Sequence, residues 1–479
     1  MSDVVVIGSG PNGLTAAIQL ARAGAQVTVL EARPTVGGGM RTGELTLPGF
    51  AHDLCSAAHP MGILSPVWKG LELEAHGLRW CQGTSSFAHP LDDQPAVIVQ
   101  HSLDATIENL DREDARAYRA LIAPLLDDPH GLLADILAPL RMPRHPLRMA
   151  RFGLRGLRSA IGVAKRFRGT RARALLAGCA GHAILPLDRA VTAGLAMTFM
   201  MTAHVETWPV AAGGSQAIAD ALASKLVSLG GVIETNVYVR SLADLPEARV
   251  FLFDTSPAQL AAIAGPVLPA RYLRRLERFR YGPGVFKLDF ALAGKIPWRD
   301  PRCNGASTVH LGGTLEQIAA AEAAVWNGEH PDRPYMIVCQ QSELDPSRAP
   351  AGKHTGYAYC HVPAGSTVDL TSVLENQIER FAPGFRDLVL ARHVTSPGDL
   401  ERYNPNYLGG AIAGGVSDLA QLFARPVARW SPYTTPHPQI LICSASTPPG
   451  GGVHGMCGFH AARVAEKRLA RPIRSLTLT

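Results

Sequence analysis

The chain has 479 residues, 47% of them hydrophobic and 18% charged, with a formal net charge of +6. That length suits two domains better than one small core, and the composition is that of a globular protein. No run of eighteen uncharged apolar residues occurs, so no membrane-spanning helix is expected; eight scattered cysteines without a C-x-x-C count against a redox disulfide and a cysteine zinc site, and read as reduced thiols.

The first strand comes at once. Val4-Val5-Val6-Ile7 is an uninterrupted β-branched run, as in a strand buried on both faces. No charged leader or cleavage site precedes it, so no secretory signal is expected. Gly8-Ser9-Gly10-Pro11-Asn12-Gly13 then fits G-x-G-x-x-G, Leu14 to Ala23 carries apolar residues at helical spacing, and a second strand, Val27 to Leu30, ends in Glu31. The spacing has a mechanical reading: Gly8 allows a tight turn, Gly10 lets the backbone reach a pyrophosphate, and Gly13 lets helix and strand pack closely. The helix N-terminus offers free N–H groups to phosphates. Glu31, eighteen residues after Gly13, is placed to accept from a ribose 2′-hydroxyl and would repel a 2′-phosphate.

A second glycine cluster, Gly37-Gly38-Gly39, follows Ala32 and Arg33 and precedes Met40 and Arg41. A cofactor with a ribityl and flavin tail needs such a second close approach of backbone, so FAD is favoured. No second strand-turn-helix unit of this kind occurs, which disfavours a nicotinamide partner.

Further along, eleven Lys and Arg fall between Arg141 and Arg173 without any Asp or Glu, and the rest of the chain is net acidic. Residues 147–164 read as a helix with Arg148, Arg151, Arg155 and Arg158 on one face and Leu147, Leu154, Leu157 and Ile161 on the neighbouring one. Such a segment is either a peripheral contact for an anionic membrane or an ordinary surface helix with solvated arginines. Nothing around it suggests nucleic-acid binding. Ala217 to Leu229 reads as a helix stopped by Gly230-Gly231, Val232 to Val239 as a strand, and Val250 to Pro257 as a strand and closing turn. Gly284 to Leu292, YMIVCQQ and TGYAYCHV read as further strands. The chain closes on LICSASTPPGGGVHGMCGFHAARVA, with five glycines between Gly450 and Gly458 ahead of a helix.

Three of these stretches carry a resemblance. The N-terminal VVVIGSGPNGLTAAIQLARAGAQVTVLEARPTVGGGMRT, the block from Trp208 to Leu242 and the C-terminal glycine loop resemble, in order, the FAD-dependent phytoene/carotene desaturase and carotenoid isomerase group of amine-oxidase-like flavoproteins. The ending is most similar to the pyridine nucleotide-disulphide oxidoreductase domain-containing subgroup. The resemblance implies an α/β fold: a Rossmann-type, glutathione-reductase-like FAD-binding domain (1–75, 205–285, 430–479) with an inserted α+β substrate domain (76–204, 286–429). It implies that the last helix returns to point at the flavin, with Gly452, Val453, Gly455 and Met456 as contacts, glycine being required because a side chain would block the ring. It also implies an adenine contact from the backbone of Val239.

The implied activity is hydride removal from an apolar substrate, a desaturation. Alternatives are a redox-neutral polyene isomerase, a flavin amine oxidase, and a flavin-free escort protein of the same fold. The aromatic pair and lysine of amine oxidases are not legible in the C-terminal segment. No metal site is expected. His59 and His454 are the candidate catalytic residues, by position alone; His52 and Asp53 are weaker candidates. The expected location is cytoplasmic, with contact at the inner face of the membrane through 141–173.

Overall fold

The computed structural model describes residues 2–470; the end of the expected third FAD-domain segment, residues 471–479, lies outside the described residues. Five parallel strands form a first sheet in the order Ile440–Ile442, Ala248–Phe253, Ser2–Ile7, Val27–Leu30, Val232–Glu234. Val4 pairs with Val27 on one side and Val250 on the other. The β-branched run divides between two cores. Val4 and Val6 pack with Leu14, Ile18 and Ala461, whereas Val5 and Ile7 pack with Phe251, Phe253 and Leu260.

Parallel strands need crossover connections, and helix Pro11–Arg22 provides the first of them. Helix Met456–Leu469 packs beside it. Their approach is close: a Cβ on Gly458 would lie 1.8 Å from the Asn12 carbonyl oxygen, so only glycine lets the last helix rest there.

The strand expected over Val232–Val239 stops at Glu234. Asn236 takes a φ of 60°, a left-handed conformation that asparagine tolerates better than most residues. The chain still follows the first sheet, because Asn236 and Val237 donate their N–H groups to the carbonyls of Arg33 and Glu31.

A second, seven-stranded sheet has the order Val389–Thr395, Gly284–Leu292, His354–Val362, Met336–Cys339, Ala306–Leu311, Ser85–His89, Val97–Val99. Its pairs are antiparallel except where Ala306–Leu311 runs parallel to Ser85–His89. Alternation along the strands sorts its two faces. Val338, Ala358 and Cys360 turn to a core completed by Leu374, Ile378 and Phe381 of helix Thr371–Phe381. Ile337, Cys339, Tyr357 and Tyr359 turn the other way, into a cavity. Helix Thr170–Gly181 packs against strands Ser85–His89 and Ala306–Leu311 and against helix Thr192–Val205.

Two stretches depart from the sequence reading. The basic segment forms two helices, Pro146–Gly156 and Ala160–Ala164. Gly156 lies against Gly194, where a Cβ on Gly194 would come 2.8 Å from the Gly156 carbonyl oxygen, and Ser159 Oγ caps the second helix by accepting from Gly162 N at 3.0 Å. Arg158 and Ile161 therefore leave the helix that carries Arg148, Arg151 and Arg155. Residues 402–406, read with the substrate side, cross back to the first sheet. The Arg33 guanidinium donates to the carbonyls of Arg402 and Tyr403, and Ser256 N donates to Asn406 Oδ1 at 2.7 Å.

Candidate active site

A cavity of about 1310 Å³ is lined both by the C-terminal ends of the first sheet and by the inner face of the second. Sites for drug-sized ligands usually hold roughly 300–1,000 Å³, so this one has room for an extended ligand and a second molecule.

At the first sheet, Gly8 takes a φ of 101° and Gly10 precedes helix Pro11–Arg22. Beside this turn sits Asp254, a half-buried acid that also lines the cavity and whose Oδ2 accepts from Gly13 N at 2.8 Å. A Cβ on Gly10 would meet that oxygen at 2.7 Å. Burial, and then the nearby charge of Glu31, push the Asp254 carboxyl up to about 7 against the pull of its backbone N–H donors. The sequence reading passed over this acid, taking DTSP as no more than a strand end and turn.

Glu31 is buried with both oxygens engaged. Oε2 accepts from Ser9 N at 3.1 Å and from the Ser9 hydroxyl; Oε1 accepts from Arg33 N at 2.8 Å and Arg41 Nη2 at 3.0 Å. Four bonds fill a carboxylate. The Ser9 hydroxyl is the partner that can yield, since it also accepts from Gly37 N at 3.3 Å and rotates freely. A ribose hydroxyl can take its place, and a phosphate cannot. The glycine cradle, the helix N-terminus and this carboxylate thus fit a dinucleotide without a 2′-phosphate.

Of the cofactor contacts expected from sequence, Gly8, Gly10, Pro11, Asn12, Glu31, Ala32, Arg33, Gly38, Gly39, Met40, Arg41, Val239, Gly452 and Val453 line the cavity. Gly13, Gly37, Gly455 and Met456 do not. Gly13 serves packing, its Cβ position lying 2.1 Å from the Gly8 carbonyl oxygen, and that of Gly37 touches Ala219. The place of a Gly455 side chain is filled by Thr15 Oγ1 at 2.2 Å and Trp68 Nε1 at 2.6 Å, and Met456 is buried at the start of the last helix. Gly451 likewise lies against Ala413, 2.3 Å from its carbonyl oxygen. The C-terminal loop is therefore glycine-rich largely because it is wedged between the first helix and the stretch at Ala413. Facing a ligand falls to Gly451, Gly452 and Val453.

The two candidate histidines part company. His59 lines the cavity. Ser215 Oγ gives its hydrogen to the Ser56 carbonyl at 2.7 Å, so it accepts from His59 Nε2–H at 2.8 Å. This fixes the tautomer and leaves His59 Nδ1 an acceptor, buried and without a partner among the described residues. Burial lowers its pKa to about 4, so the ring is neutral at pH 7. His454 turns away from the cavity. Its Nδ1 accepts from Met456 N at 3.0 Å and so serves the start of the last helix. His52 and Asp53 are structural: Thr46 Oγ1 holds the His52 ring at 2.7 Å, and Asp53 forms a buried ion pair with Arg348 at 3.0 Å.

The second sheet and its helices bring residues that sequence reading missed. His182 lines the cavity, packs on Phe199 and Trp208, and places Nε2 2.8 Å from His310 Nε2. One ring must donate and the other accept, so the pair shares a proton between neutral imidazoles. Burial holds His182 at about 3 and His310 well below its ordinary value. Tyr357 and Tyr359 form an edge-to-face pair with centroids 5.8 Å apart. Lys287 lies behind them, paired with Asp289 and 4.6 Å from the Tyr357 ring centroid, but outside the cavity lining. Tyr403 and Tyr407 lie against the second glycine turn, where the Tyr403 hydroxyl donates to the Gly38 carbonyl and the Tyr407 hydroxyl stands 2.5 Å from where a Gly39 Cβ would be; Asn404 and Asn406 line the cavity beside them. The Asn-Pro-Asn run Asn404-Pro405-Asn406 was the available signal for them.

Residues 6–71 match the family model described as an NAD(P)-binding Rossmann-like domain. Over 98% of its length the chain is 29% identical to pyridine nucleotide-disulfide oxidoreductase domain-containing protein 2 of Rattus norvegicus, covering 94% of that protein. It is 26% identical to the phytoene dehydrogenase of Streptomyces griseus, covering 99% of this chain and 97% of that one. A structure of wild-type putrescine oxidase bound to putrescine superposes with a TM-score of 0.63 at 19% identity, over 98% of this chain and 99% of the other. The chain shares the fold of this putrescine oxidase. The resemblance read from three motifs thus extends over nearly the whole chain, and the relatives are named an oxidoreductase domain-containing protein and a dehydrogenase.

Proposed function

We propose that the protein is an FAD-dependent oxidoreductase that removes hydride from an apolar substrate, as a desaturase does. The observation that carries this reading is the single cavity joining the Gly8–Glu31 turn to a wall of Trp208, Phe199, Tyr357 and Tyr359. In this reading Glu31 holds the ribose, the Gly8–Gly10 turn and the first helix approach the pyrophosphate, the backbone at Val239 borders the adenine, and Gly452 and Val453 border the flavin end. Flavin supplies a hydride acceptor when bound. The aromatic and aliphatic walls exclude water and orient an apolar chain. His59 keeps a neutral acceptor at Nδ1, and His182 a neutral ring hydrogen-bonded to His310; with both pKa values held low by burial, each can accept a hydrogen bond from a substrate but is a weak base.

Amine oxidation is the second reading. The tyrosine pair favours it, because it supplies on the second sheet the aromatic walls that the C-terminal segment lacks, and the putrescine oxidase shares the fold. Anaerobic photometry of the purified yellow protein decides between the two. Bleaching of the flavin bands by polyenes or fatty acyl compounds, and not by amines, supports desaturation; bleaching by amines alone replaces it with the second reading. A protein that binds no flavin would overturn both.

A further inference from the structure

Residues 140–157 present apolar side chains to solvent at the cavity's edge. Leu140, Met142, Leu147 and Leu154 are 79%, 83%, 79% and 76% exposed, and Leu157 is 52% exposed. Leu140, Met142, Leu154 and Leu157 also line the cavity, so these side chains form its rim. Single exposed leucines need no explanation, but four such side chains gathered at one opening do. The same stretch is basic without an acid. Arg148 pairs with Asp128 and Arg155 reaches the Ala120 carbonyl, which leaves Arg141, Arg144 and Arg151 as exposed cations with no ion-pair partner among the described residues. On helix Pro146–Gly156, Leu147, Arg151 and Leu154 are spaced i, i+4, i+7 and share one face.

We propose that this face docks on an anionic lipid bilayer, with the cavity rim in the headgroup region and its opening toward the hydrocarbon. A bilayer offers both complements at once: negative headgroups for the arginines and acyl chains for the leucines, while the arginine stems snorkel between them. A second copy of the chain fits the observations less well, because an isologous dimer would set two basic faces against each other. A soluble acidic partner would cover the opening through which an apolar substrate enters. The inference rests on the apolar cavity and its rim, and not on which reaction the cavity hosts.

Co-sedimentation of the purified full-length protein with vesicles tests it. Vesicles of equal phosphatidylcholine and phosphatidylglycerol should pellet the protein at low salt. Partitioning should fall about tenfold or more with phosphatidylcholine alone or on raising the salt. Replacing Arg141, Arg144 and Arg151 together by Ser should weaken binding on the order of 100-fold. Replacing Met142, Leu147 and Leu154 together by Ser should abolish it with melting temperature and circular dichroism unchanged, since these side chains already stand in water. Failure of the wild-type protein to bind anionic vesicles at low salt would overturn the proposal, and so would tight binding by the Met142/Leu147/Leu154 variant. A solution dimer that this variant dissociates, without vesicle binding by the wild type, would reassign the face to protein contact. Bound flavin without vesicle binding would remove the docking face and leave the proposed function standing; vesicle binding without flavin would do the reverse.

Discussion

Glu31 shows how one side chain can be fully bonded and still selective. Its oxygens accept from Ser9, Arg33 and Arg41, so the carboxylate is fixed before any ligand arrives. Only the Ser9 hydroxyl can rotate out of the way. Charge-assisted hydrogen bonds of this sort contribute about 1.5–3 kcal/mol, so Glu31→Gln should weaken FAD binding roughly 10- to 100-fold in a flavin fluorescence titration. An unchanged affinity would move the ribose elsewhere. Gly458 makes a different point. Its Cβ position lies 1.8 Å from Asn12 O, backbone that cannot turn aside, so Gly458→Ala should lower stability by about 1–3 kcal/mol, read as a lower melting temperature. The sequence made Glu31 and the first glycine turn legible because their spacing is local: each contact lies within one strand-turn-helix unit. The roles of Gly455, Gly458 and His454 were not legible, because a glycine against remote backbone and a glycine against a cofactor look alike in sequence. Only the fold reveals that Thr15, Trp68 and Asn12 occupy those spaces.

At the scale of elements, the two sheets are joined by polar ties that period and composition do not announce. Arg348 is buried among four groups: Asp53 Oδ2 at 3.0 Å, Asp345 Oδ2 at 3.2 Å, and the carbonyls of Ala51 at 3.3 Å and Ala211 at 3.4 Å. It fastens the small hairpin after the second glycine turn to the second sheet's connections. Removing one partner of a buried ion pair leaves the other uncompensated, at a cost of about 3–5 kcal/mol. Arg348→Met should therefore melt well below the wild type, and adding Asp53→Asn should restore part of the loss; equal melting of the two variants would show that the pair is not coupled. Asp53 was noticed in the sequence as a weak catalytic candidate, but its partner lies almost three hundred residues away and has no motif. The strands themselves were readable, since VFKLDFAL and TGYAYCHV carry period-two or β-rich patterns. Which face they turn to the cavity depends on register, and that placed Tyr357, Tyr359 and, through the neighbouring helix, His182 beyond sequence reasoning.

For the whole molecule, the burial of histidines sets the response to acid. Burial lowers His52 and His182 to about 3, and His59, His89, His204, His454 and His460 to about 4. Each titrates near 6.5 when unfolded. Between about pH 6.5 and 4 the unfolded chain binds protons that the folded chain refuses, so stability falls as pH falls through that window. Asp254 acts in the opposite sense: with a folded pKa of about 7, its contribution is present below about pH 4 and is lost as pH rises toward 7. Seven groups outweigh one. The melting temperature should drop steeply from pH 7 to pH 5, and a flat profile would mean that the histidines are wetter than the fold places them. The fold class was accessible from three widely separated motifs because they fix the order in which the chain returns to the first sheet. The return of residues 402–406 to the first sheet was less so, since Asn404-Pro405-Asn406 signals a turn without naming the surface it will cover.

The proposed function requires that one cavity hold FAD between the first strand-turn-helix unit and the C-terminal glycine loop. Release of the bound cofactor by denaturation, followed by its identification through absorbance and mass, tests this most directly. One FAD per chain is the expected result; a colourless protein that acquires no flavin when FAD is added, or one that carries a nicotinamide dinucleotide instead, would contradict it.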